Sequence, residues 1–284
     1  MKVLIITPAC NEEKHLPQLI QSVINQSILP AAWIIVDDGS IDNTSNVIQN
    51  AAIKYSWIQY LRKEKMDKRS PGKSVMETFY FGFNNRQLLD YDIIMKLDAD
   101  LVLPENYIFT IINQFKIDTK IGMCGGVCVL DEGSNYVVEK ETNLDHIRGA
   151  IKAYRKECFS DINGLLKKMG WDTVDEHHSR FKGWRVLVLP DLHVLHQRST
   201  YHEYGVIKAA FRNGLMLYTI RMDLLLLCSN CVKNIFKYPY GILSLAMFLG
   251  YMLAFFSREK RIVTKELGRF IRKYRYNKIF ERFK

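Results

Sequence analysis

The chain of 284 residues has no internal repeat, no low-complexity linker and no series of long apolar segments. Hydrophobic residues make up 48% of it and charged residues 25%, which is typical of a globular protein and not of a disordered one. One uncharged run, residues 239–257, reaches 19 residues, about the length that spans a bilayer. These shortages exclude a repeat protein, a disordered chain and a protein that crosses a membrane many times.

Cysteine is also scarce, and its spacing completes no metal site. Cys228 and Cys231 are spaced like a redox pair or half a zinc site, but no second pair follows at zinc spacing. The apolar stretch from Lys2 to Thr7 is too short for the core of a secretory signal and predicts a strand. We therefore expect six free thiols in a reducing, cytoplasmic setting.

Positive charge is concentrated at the C-terminus. The net charge is +10, and residues 258–284 hold 11 Lys or Arg against 3 Asp or Glu, which is +8. The remaining 257 residues hold 29 basic and 27 acidic groups, so they are nearly neutral. A basic tail beside an apolar segment favours an anionic membrane surface as partner, and we expect no nucleic-acid partner.

The first 130 residues alternate between apolar strand patterns and amphipathic helix patterns, and further patterns of both kinds follow up to Leu189. Strands are predicted at Val3–Thr7, Trp33–Val36, Ile93–Leu97 and Arg185–Leu189. Helices are predicted after Asn11 (placed near an N-cap), after Asp42, over 74–89, over 148–158 and over 172–182. Such alternation predicts an α/β fold with a mostly parallel sheet flanked by helices. Ligands of such sheets bind at the carboxyl ends of the strands.

Acidic residues follow two of these strands. Asp37 and Asp38 end the second strand, where Gly39 permits a sharp turn, and they suit a nucleoside. Asp98 and Asp100 follow the third strand and would face the same way in an extended segment. Two carboxylates so close repel each other unless a cation compensates them. The pattern therefore predicts a divalent cation, Mg2+ or Mn2+, on a diphosphate. A solvated turn is the alternative for each pair.

Three segments in this order resemble family 2 glycosyltransferases of the GT-A fold, and the resemblance extends from residue 2 to about 200. The segments are Thr7-Pro8-Ala9-Cys10-Asn11-Glu12, Val36-Asp37-Asp38-Gly39-Ser40 with Asp42 and Thr44, and Leu97-Asp98-Ala99-Asp100. The resemblance implies a nucleotide-sugar donor, with the segment Thr7 to Glu12 and Asp37 and Asp38 in its binding site. Asp98 would hold ribose or sugar hydroxyls, and Asp100 would hold the metal on the diphosphate.

The second half of the chain supplies the acceptor side of the resemblance. In the family a Glu-Asp pair lies about a dozen residues before a Gly-Trp, and its Asp is the general base. Counting back from Gly183 places that Asp at Asp172 and the Glu at Trp171, a departure from the pattern. Asp175 is the rival base. The resemblance makes His196 a metal or diphosphate ligand. His193 is expected to be an ordinary polar residue, and the pair His177-His178 is expected on a helix surface.

Lys73 is a further candidate for the donor phosphates, together with Arg69. Gly72-Lys73-Ser74 looks like the end of a P-loop, but the earlier glycine that a P-loop requires would fall at Asp67. We therefore interpret this stretch as a basic loop before a helix N-terminus, where phosphate binds favourably.

The predicted activity is transfer of a sugar, with inversion, from a UDP- or GDP-sugar to a hydroxyl of a glycan or lipid-linked acceptor. A sugar-phosphate nucleotidyltransferase is an alternative, although such enzymes open with a Gly-rich loop that this chain lacks. A catalytically inactive membrane-bound scaffold is the other alternative, which the departure at Trp171 favours.

The domain prediction is a catalytic domain over 1–205 and a helical membrane-association region over 206–284. A helix is also predicted over 259–284. The run 239–257 is interpreted as an interfacial helix or hairpin at the cytoplasmic face, because a single pass would place the basic tail against the positive-inside rule. A single span and a core helix of a soluble protein remain open alternatives.

Overall fold

The computed structural model describes residues 1–64, 72–86, 90–133, 135–139, 144–198 and 205–281. The chain divides into two compact units, Met1–Ser199 and Thr200–Lys284. The described residues of the first unit form a nine-stranded sheet. Its strands are β1 (Val3–Ala9), β2 (Ala32–Asp37), β3 (Ile58–Arg62), β4 (Ile93–Leu97), β5 (Leu101–Val102), β6 (Ile121–Asp131), β7 (Tyr136–Val138), β8 (Ile151–Arg155) and β9 (Arg185–His196).

The sheet is mixed, which corrects the prediction of a mostly parallel sheet. Its strand order is β3-β2-β1-β4-β8-β6-β9-β5, with β7 beside β6. The pairs of β1 with β2 and β4, of β2 with β3, and of β6 with β9 are parallel. β8 is antiparallel to both β4 and β6. A parallel neighbour requires a long crossover, usually a helix, and the described residues between β6 and β8 contain none.

The described part of the first unit contains six helices. They are α1 (Leu16–Ile24), α2 (Thr44–Lys54), α3 (Lys73–Asn84), α4 (Tyr107–Ile117), α5 (Lys156–Asp161) and α6 (Trp171–Phe181). Leu16, Leu19, Ile20 and Val23 are buried on one face of α1, as the sequence spacing predicts. Together with the strands, the buried faces of these helices form a continuous hydrophobic core.

Three local predictions are wrong. The helix expected over 148–158 is strand β8 followed by α5, because pairing with β4 and β6 outweighs the local pattern. Asn11 is not an N-cap; it has a positive φ of 58°, and α1 begins five residues later. His177 is not a surface residue, since its exposed fraction is 2%.

Within residues 205–281, the second unit has four helices: α7 (Val206–Thr219), α8 (Leu224–Ile235), α9 (Ile242–Phe256) and α10 (Lys265–Glu281). α7 and α9 pack closely through glycines. A β-carbon added at Gly214 would lie 1.9 Å from the carbonyl oxygen of Met247, and one added at Gly250 would lie 2.0 Å from that of Phe211. The two backbones therefore meet where side chains are missing.

α9 covers most of the uncharged run predicted to meet the membrane. One face, including Leu243, Met247 and Tyr251, is buried, whereas Leu249 and Phe256 are among the exposed side chains. Among the described residues, no helix is both long and apolar enough to cross a bilayer.

Candidate active site

Asp37 and Asp38 form a turn at the carboxyl end of β2. The backbone N–H of Asp38 donates to the carbonyl of Ala9 at 2.8 Å, which joins the ends of β1 and β2. The Asp37 side chain is fully buried; its Oδ1 accepts from the N–H of Ser40 at 2.8 Å and its Oδ2 contacts Arg62 at 3.1 Å. Asp37 therefore holds the turn, and Asp38 is the acid of the pair that keeps some exposure, 13% of its side chain.

Asp38 has a basic partner that the sequence analysis missed. Its Oδ1 lies 2.8 Å from Nζ of Lys63, the residue after β3. Lys63 Nζ also lies 3.4 Å from Oγ1 of Thr78 on α3. Because β2 and β3 are parallel neighbours, their two carboxyl ends bring the acid and the lysine together. This edge therefore holds one negatively and one positively charged side chain at the position predicted for a nucleoside.

The end of β1 and the residues that follow it are held against the Asp38 turn. The side chain of Thr7 is buried, and its Oγ1 accepts from Nε1 of Trp33 at 3.0 Å. The N–H of Asn11 donates to Oγ of Ser40 at 2.9 Å, and Oδ1 of Asn11 accepts from the N–H of Ile41 at 3.0 Å. The side chains of Thr7 and Asn11 therefore support the loop, leaving the chain around Pro8 and Ala9 beside Asp38.

Glu12 and Asp100 are bridged by Arg198, another residue that the sequence analysis missed. Nε of Arg198 donates to Oδ2 of Asp100 at 2.7 Å, and its Nη2 contacts Oε1 of Glu12. Burial raises the pKa of Glu12 to about 7. Burial also acts to raise the pKa of Asp100, but His196 and Arg198 outweigh it and hold that pKa well below the usual value. Asp100 is therefore the ionised member of the pair.

His196 lies beside Asp100 because β5 and β9 pair at Leu101 and His196. Nε2 of His196 is 3.4 Å from Oδ2 of Asp100, and its Nδ1 is 3.0 Å from Oε1 of Glu139. Burial opposes protonation of His196, but the two carboxylates raise its pKa to about 9. Arg148 lies 3.1 Å from Oε2 of Glu139. The pair predicted to hold the metal is therefore close together, with a carboxylate behind the imidazole.

The donor chemistry of this pair fits a divalent cation. A carboxylate oxygen and an imidazole nitrogen face each other, and Glu139 fixes the other ring nitrogen, as carboxylates do behind metal-bound histidines. Ligand atoms of Cys128, Glu139 and His196 also lie within 4.8 Å of one another. Burial raises the pKa of the Cys128 thiol to about 12, so that sulfur is a neutral and poor ligand for a hard cation. Asp100 and His196 are the better candidates for Mg2+ or Mn2+.

Asp98 and Asp100 do not lie in one extended segment. β4 ends at Leu97, and the chain turns at residues 99–100 before β5 begins. Asp98 contacts the ammonium of buried Lys96 instead of the partners of Asp100. The extended geometry behind the paired-acid prediction is therefore wrong, although both acids lie at the end of β4.

Asp172 lies in the first turn of α6 with about a third of its side chain exposed. A β-carbon added at Gly149 would be 3.3 Å from its Oδ2, so glycine leaves room for this carboxylate. Nζ of Lys96, the partner of Asp98, donates to the carbonyl of the same Gly149 at 2.9 Å. The structure thus brings Asp172 to the same part of the site as Asp98.

Asp175, the rival base, is buried inside the first unit. Its Oδ1 lies 2.9 Å from Nζ of Lys152, its Oδ2 accepts from Tyr154, and only 1% of its side chain is exposed. Burial raises its pKa. Asp175 is therefore closed to solvent, whereas the Asp172 side chain on the same helix is 33% exposed.

Trp171 stands where the resemblance expects Glu, and its packing explains the exchange. The indole is 6% exposed, and Nζ of Lys96 and Lys152 lie 5.4 Å and 5.6 Å from its ring centroid. An aromatic face over two ammonium groups is a favourable cation–π arrangement. Trp171 therefore supports the lysines that hold Asp98 and Asp175.

Lys73 begins α3 and is half exposed, with Nζ 3.6 Å from Oε1 of Glu77. A β-carbon added at the preceding Gly72 would lie 2.8 Å from Cα of Met169, so this helix start lies close to the chain that leads into α6. Arg69, the other candidate for phosphates, lies outside the described residues. His193 is exposed. No disulfide joins the six cysteines, all of which lie within the described residues.

Comparison with known proteins gives a family and a fold. The model of the family described as Glycosyl transferase family 2 matches residues 4–159, more than half of the chain. The chain is 24% identical, over 273 residues, to the undecaprenyl-phosphate 4-deoxy-4-formamido-L-arabinose transferase of Proteus mirabilis, which covers 87% of this chain and 74% of that protein. For the protein of the same name from Serratia proteamaculans, the chain spans about half of its length (54%) at 24% identity over 70% of this chain.

Two solved structures share the fold at low identity. The mannosyltransferase PcManGT from Pyrobaculum calidifontis, in complex with GDP-Man and Mn2+, superposes with a TM-score of 0.59 at 14% identity, covering 91% of this chain and 88% of that one. S. aureus TarS 1-349, in complex with UDP-GlcNAc, gives a TM-score of 0.57 at 16% identity, covering 79% and 68%.

Proposed function

The chain belongs to glycosyl transferase family 2, and on that premise we propose that it transfers a sugar, with inversion, from a nucleoside-diphosphate sugar to a lipid-linked or glycan hydroxyl. The observation that carries this proposal is the grouping of Asp38, Asp98, Asp100 and His196 at strand ends, with Asp172 close to Gly149. In this proposal the catalytic domain covers 1–205 and the membrane-association region covers 206–284.

The nucleoside would bind between Asp38 and the end of β1 at Pro8 and Ala9. A carboxylate held 2.8 Å from Lys63 can accept a hydrogen bond from a base N–H while the lysine limits the repulsion from the diphosphate. Asp98, partly exposed, would accept from ribose or sugar hydroxyls. Because Lys73 is half exposed, its ammonium group can contact the phosphates of the donor. UDP- and GDP-sugars are the donors we favour, since the superposed structures bind UDP-GlcNAc and GDP-Man.

Asp100 and His196 would hold Mg2+ or Mn2+ on the diphosphate, as the Mn2+ bound to PcManGT supports. When bound, the cation neutralises the charge that builds up on the departing diphosphate. Arg198, which contacts both Asp100 and Glu12, supplies a second fixed positive charge at this edge. Glu139 keeps the His196 ring oriented.

Asp172 would act as the general base. The acceptor O–H bond breaks as its oxygen attacks the anomeric carbon, and an oxygen of Asp172 takes the proton. The bond from that carbon to the diphosphate breaks on the opposite face, and its electron pair leaves with the diphosphate. One base is enough for this displacement, and burial removes Asp175 from it.

The acceptor would be presented at the cytoplasmic face of a membrane. The proposal rests on the exposed apolar side chains of α8 and α9, the +8 charge of residues 258–284 and the undecaprenyl-phosphate named for the relative in Proteus mirabilis. Apolar side chains would enter the lipid interface while the basic residues bind anionic headgroups, as a peripheral or monotopic protein.

Donor binding tests the proposal most directly. Full-length protein is titrated with UDP-GlcNAc, GDP-mannose and CMP- and dTDP-sugars, with and without Mn2+. We expect one nucleotide class to bind in an Mn2+-dependent way, with Asp100→Ala weakening that binding at least about tenfold. Asp172→Asn should bind the donor normally but lose about 100-fold or more in transfer or donor hydrolysis.

Asp191→Asn, a change of an exposed acid on β9, is the matched control and should behave as the unaltered protein. Folded protein that binds none of these donors would overturn the proposal and favour a scaffold. Full activity in Asp172→Asn would overturn the assignment of the base.

A further inference from the structure

His146 lies between two acids of α6. Its Nδ1 is 3.1 Å from Oε1 of Glu176, and its Nε2 is 3.9 Å from Oδ2 of Asp172. About a quarter of the His146 side chain is exposed, so the ring connects a buried acid with solvent. No sequence pattern indicates a role for His146, because His146 precedes β8 and lies far along the chain from both acids.

Glu176 fixes which ring nitrogen faces Asp172. Its side chain is buried and Oε1 also accepts from Nζ of Lys152 at 2.9 Å and from the N–H of Ile147 at 2.8 Å. Burial acts to raise the pKa of Glu176, but the charge of Lys152 and the hydrogen bond from His146 lower it overall. An ionised Glu176 accepts hydrogen bonds only, so Nδ1 of His146 carries a proton and Nε2 is left toward Asp172.

We infer that His146 is a positioning residue for Asp172, which orients its carboxylate and relays the proton that it collects from the acceptor. The inference rests on the proposed function, which makes Asp172 the base. The 3.9 Å between Nε2 and Oδ2 exceeds a hydrogen bond, and catalytic contacts that are long in an unliganded protein tighten in substrate complexes.

The relay balances in protons and charge. After attack, the Asp172 carboxyl carries the proton of the acceptor hydroxyl. Its O–H bond then breaks as Nε2 of His146 takes that proton, and Asp172 is a carboxylate again. The imidazolium is flanked by Asp172 and Glu176, and its N–H bond at Nε2 then breaks as a solvent water takes the proton, which returns the neutral ring.

The charged groups around His146 favour this reset. Asp172 and Glu176 face the ring from α6, and both stabilise a positive imidazole. Lys152 on β8 and Arg180 on α6 oppose it through Glu176, which they contact at 2.9 Å and 3.5 Å. Because Lys152 also contacts Asp175, its charge is shared between two acids.

The test uses full-length protein with Mn2+ and GDP-mannose or UDP-GlcNAc, whichever donor the unaltered protein hydrolyses, with water as acceptor. His146→Gln should lower kcat about 10- to 100-fold while KM for the donor changes less than about twofold. His193→Gln, at an exposed position on β9, is the control.

Chemical rescue separates a relay from a merely structural role. Added imidazole should restore kcat of His146→Ala at least about fivefold and leave His193→Gln unchanged. A kcat in His146→Gln equal to that of the unaltered protein would overturn the inference alone. Loss of activity in both His146 variants without rescue by imidazole would also overturn it, leaving the base assignment intact. Unaltered protein that binds and hydrolyses no donor would overturn the proposed function, and the relay with it.

Discussion

In the first unit, Lys152 and Asp175 lie in the interior with almost no exposed side-chain surface, whereas in the second unit α9 leaves Leu249 and Phe256 half exposed or more. Residues 224–256 expose 14 large apolar side chains among those described: Leu224, Leu225, Val232, Ile235, Phe236, Tyr238, Tyr240, Ile242, Leu245, Phe248, Leu249, Leu253, Phe255 and Phe256. Both arrangements are costly in water. Buried charge requires partners, and a large exposed apolar surface is favourable only when something covers it.

The difference indicates what each unit is built to do. In the first unit the buried ions hold α6 against β8 and so fix Asp172 at its position, a constraint that an apolar core would supply less specifically. In the second unit the apolar side chains are directed outward over a helix pair that packs through glycine. We therefore expect the first unit to hold Asp172 in one specific position and the second unit to bind a surface through its exposed apolar side chains.

The largest effect is expected from the buried lysine. Lys152→Met removes the cation shared by Asp175 and Glu176 and leaves two buried acids uncompensated. Breaking a buried ion pair by removing one partner costs about 3–5 kcal/mol. Urea unfolding of the first-unit transition should show a loss of that size at pH 7 and a smaller loss at acidic pH, where the acids take up protons.

Lys156→Met is the matched control. Lys156 is half exposed and lies 3.6 Å from Asp90, so its pair is solvated. Its loss should change the unfolding free energy by less than about 0.5 kcal/mol. Equal losses in the two variants would show that the buried ions contribute no more than surface ions do.

The same buried lysine explains where prediction from sequence stops. Val3–Ala9, Ala32–Asp37 and Ile93–Leu97 are strands whose apolar runs and terminal acids are local patterns, so they could be predicted. Ile151–Arg155 could not, because its Lys152 is tolerated inside only through acids more than 20 residues away. The antiparallel insertion of this strand follows from pairing that no local pattern encodes.

The site divides along the same line. Asp38, Asp98 and Asp172 follow strands or begin a helix, and motif order leads to them. Arg198 meets Glu12 across 186 residues, and neither spacing nor composition connects those two positions. Glu139 and His146 are likewise connected to the site only by the side chains that they contact, and no sequence pattern indicates those contacts.

An intermediate effect is expected from the helix pair of the second unit. Gly214→Ala gains about 1 kcal/mol of helix propensity, but its β-carbon would lie 1.9 Å from the carbonyl oxygen of Met247. A backbone atom cannot rotate away, so α7 and α9 must separate, and overpacking typically costs about 1–3 kcal/mol. The clash should outweigh the gain in helix propensity, with a net loss of about 1–2 kcal/mol in thermal unfolding and a larger loss for Gly214→Val.

Cys228→Ala, at an exposed helical position, is the control and should be neutral. A stabilised Gly214→Ala would contradict the close packing.

The smallest effect on stability, and the clearest on partnership, is expected from the outward face of α9. Leu249→Ser with Phe256→Ser removes side chains that are 51% and 76% exposed, so the unfolding free energy should change by less than about 0.5 kcal/mol per site. If these side chains enter lipid, the double variant loses about 1 kcal/mol or more of membrane-binding free energy at each site and binds vesicles at least about tenfold more weakly.

Co-sedimentation with phosphatidylglycerol vesicles measures this binding, with phosphatidylcholine vesicles and high salt isolating the contribution of the basic tail. Ile53→Ser, an 85% exposed position on α2 of the first unit, is the control and should bind as the unaltered protein does. Undiminished binding by the double variant would assign adhesion to charge alone, and an equal loss in Ile53→Ser would place the lipid-facing surface on both units.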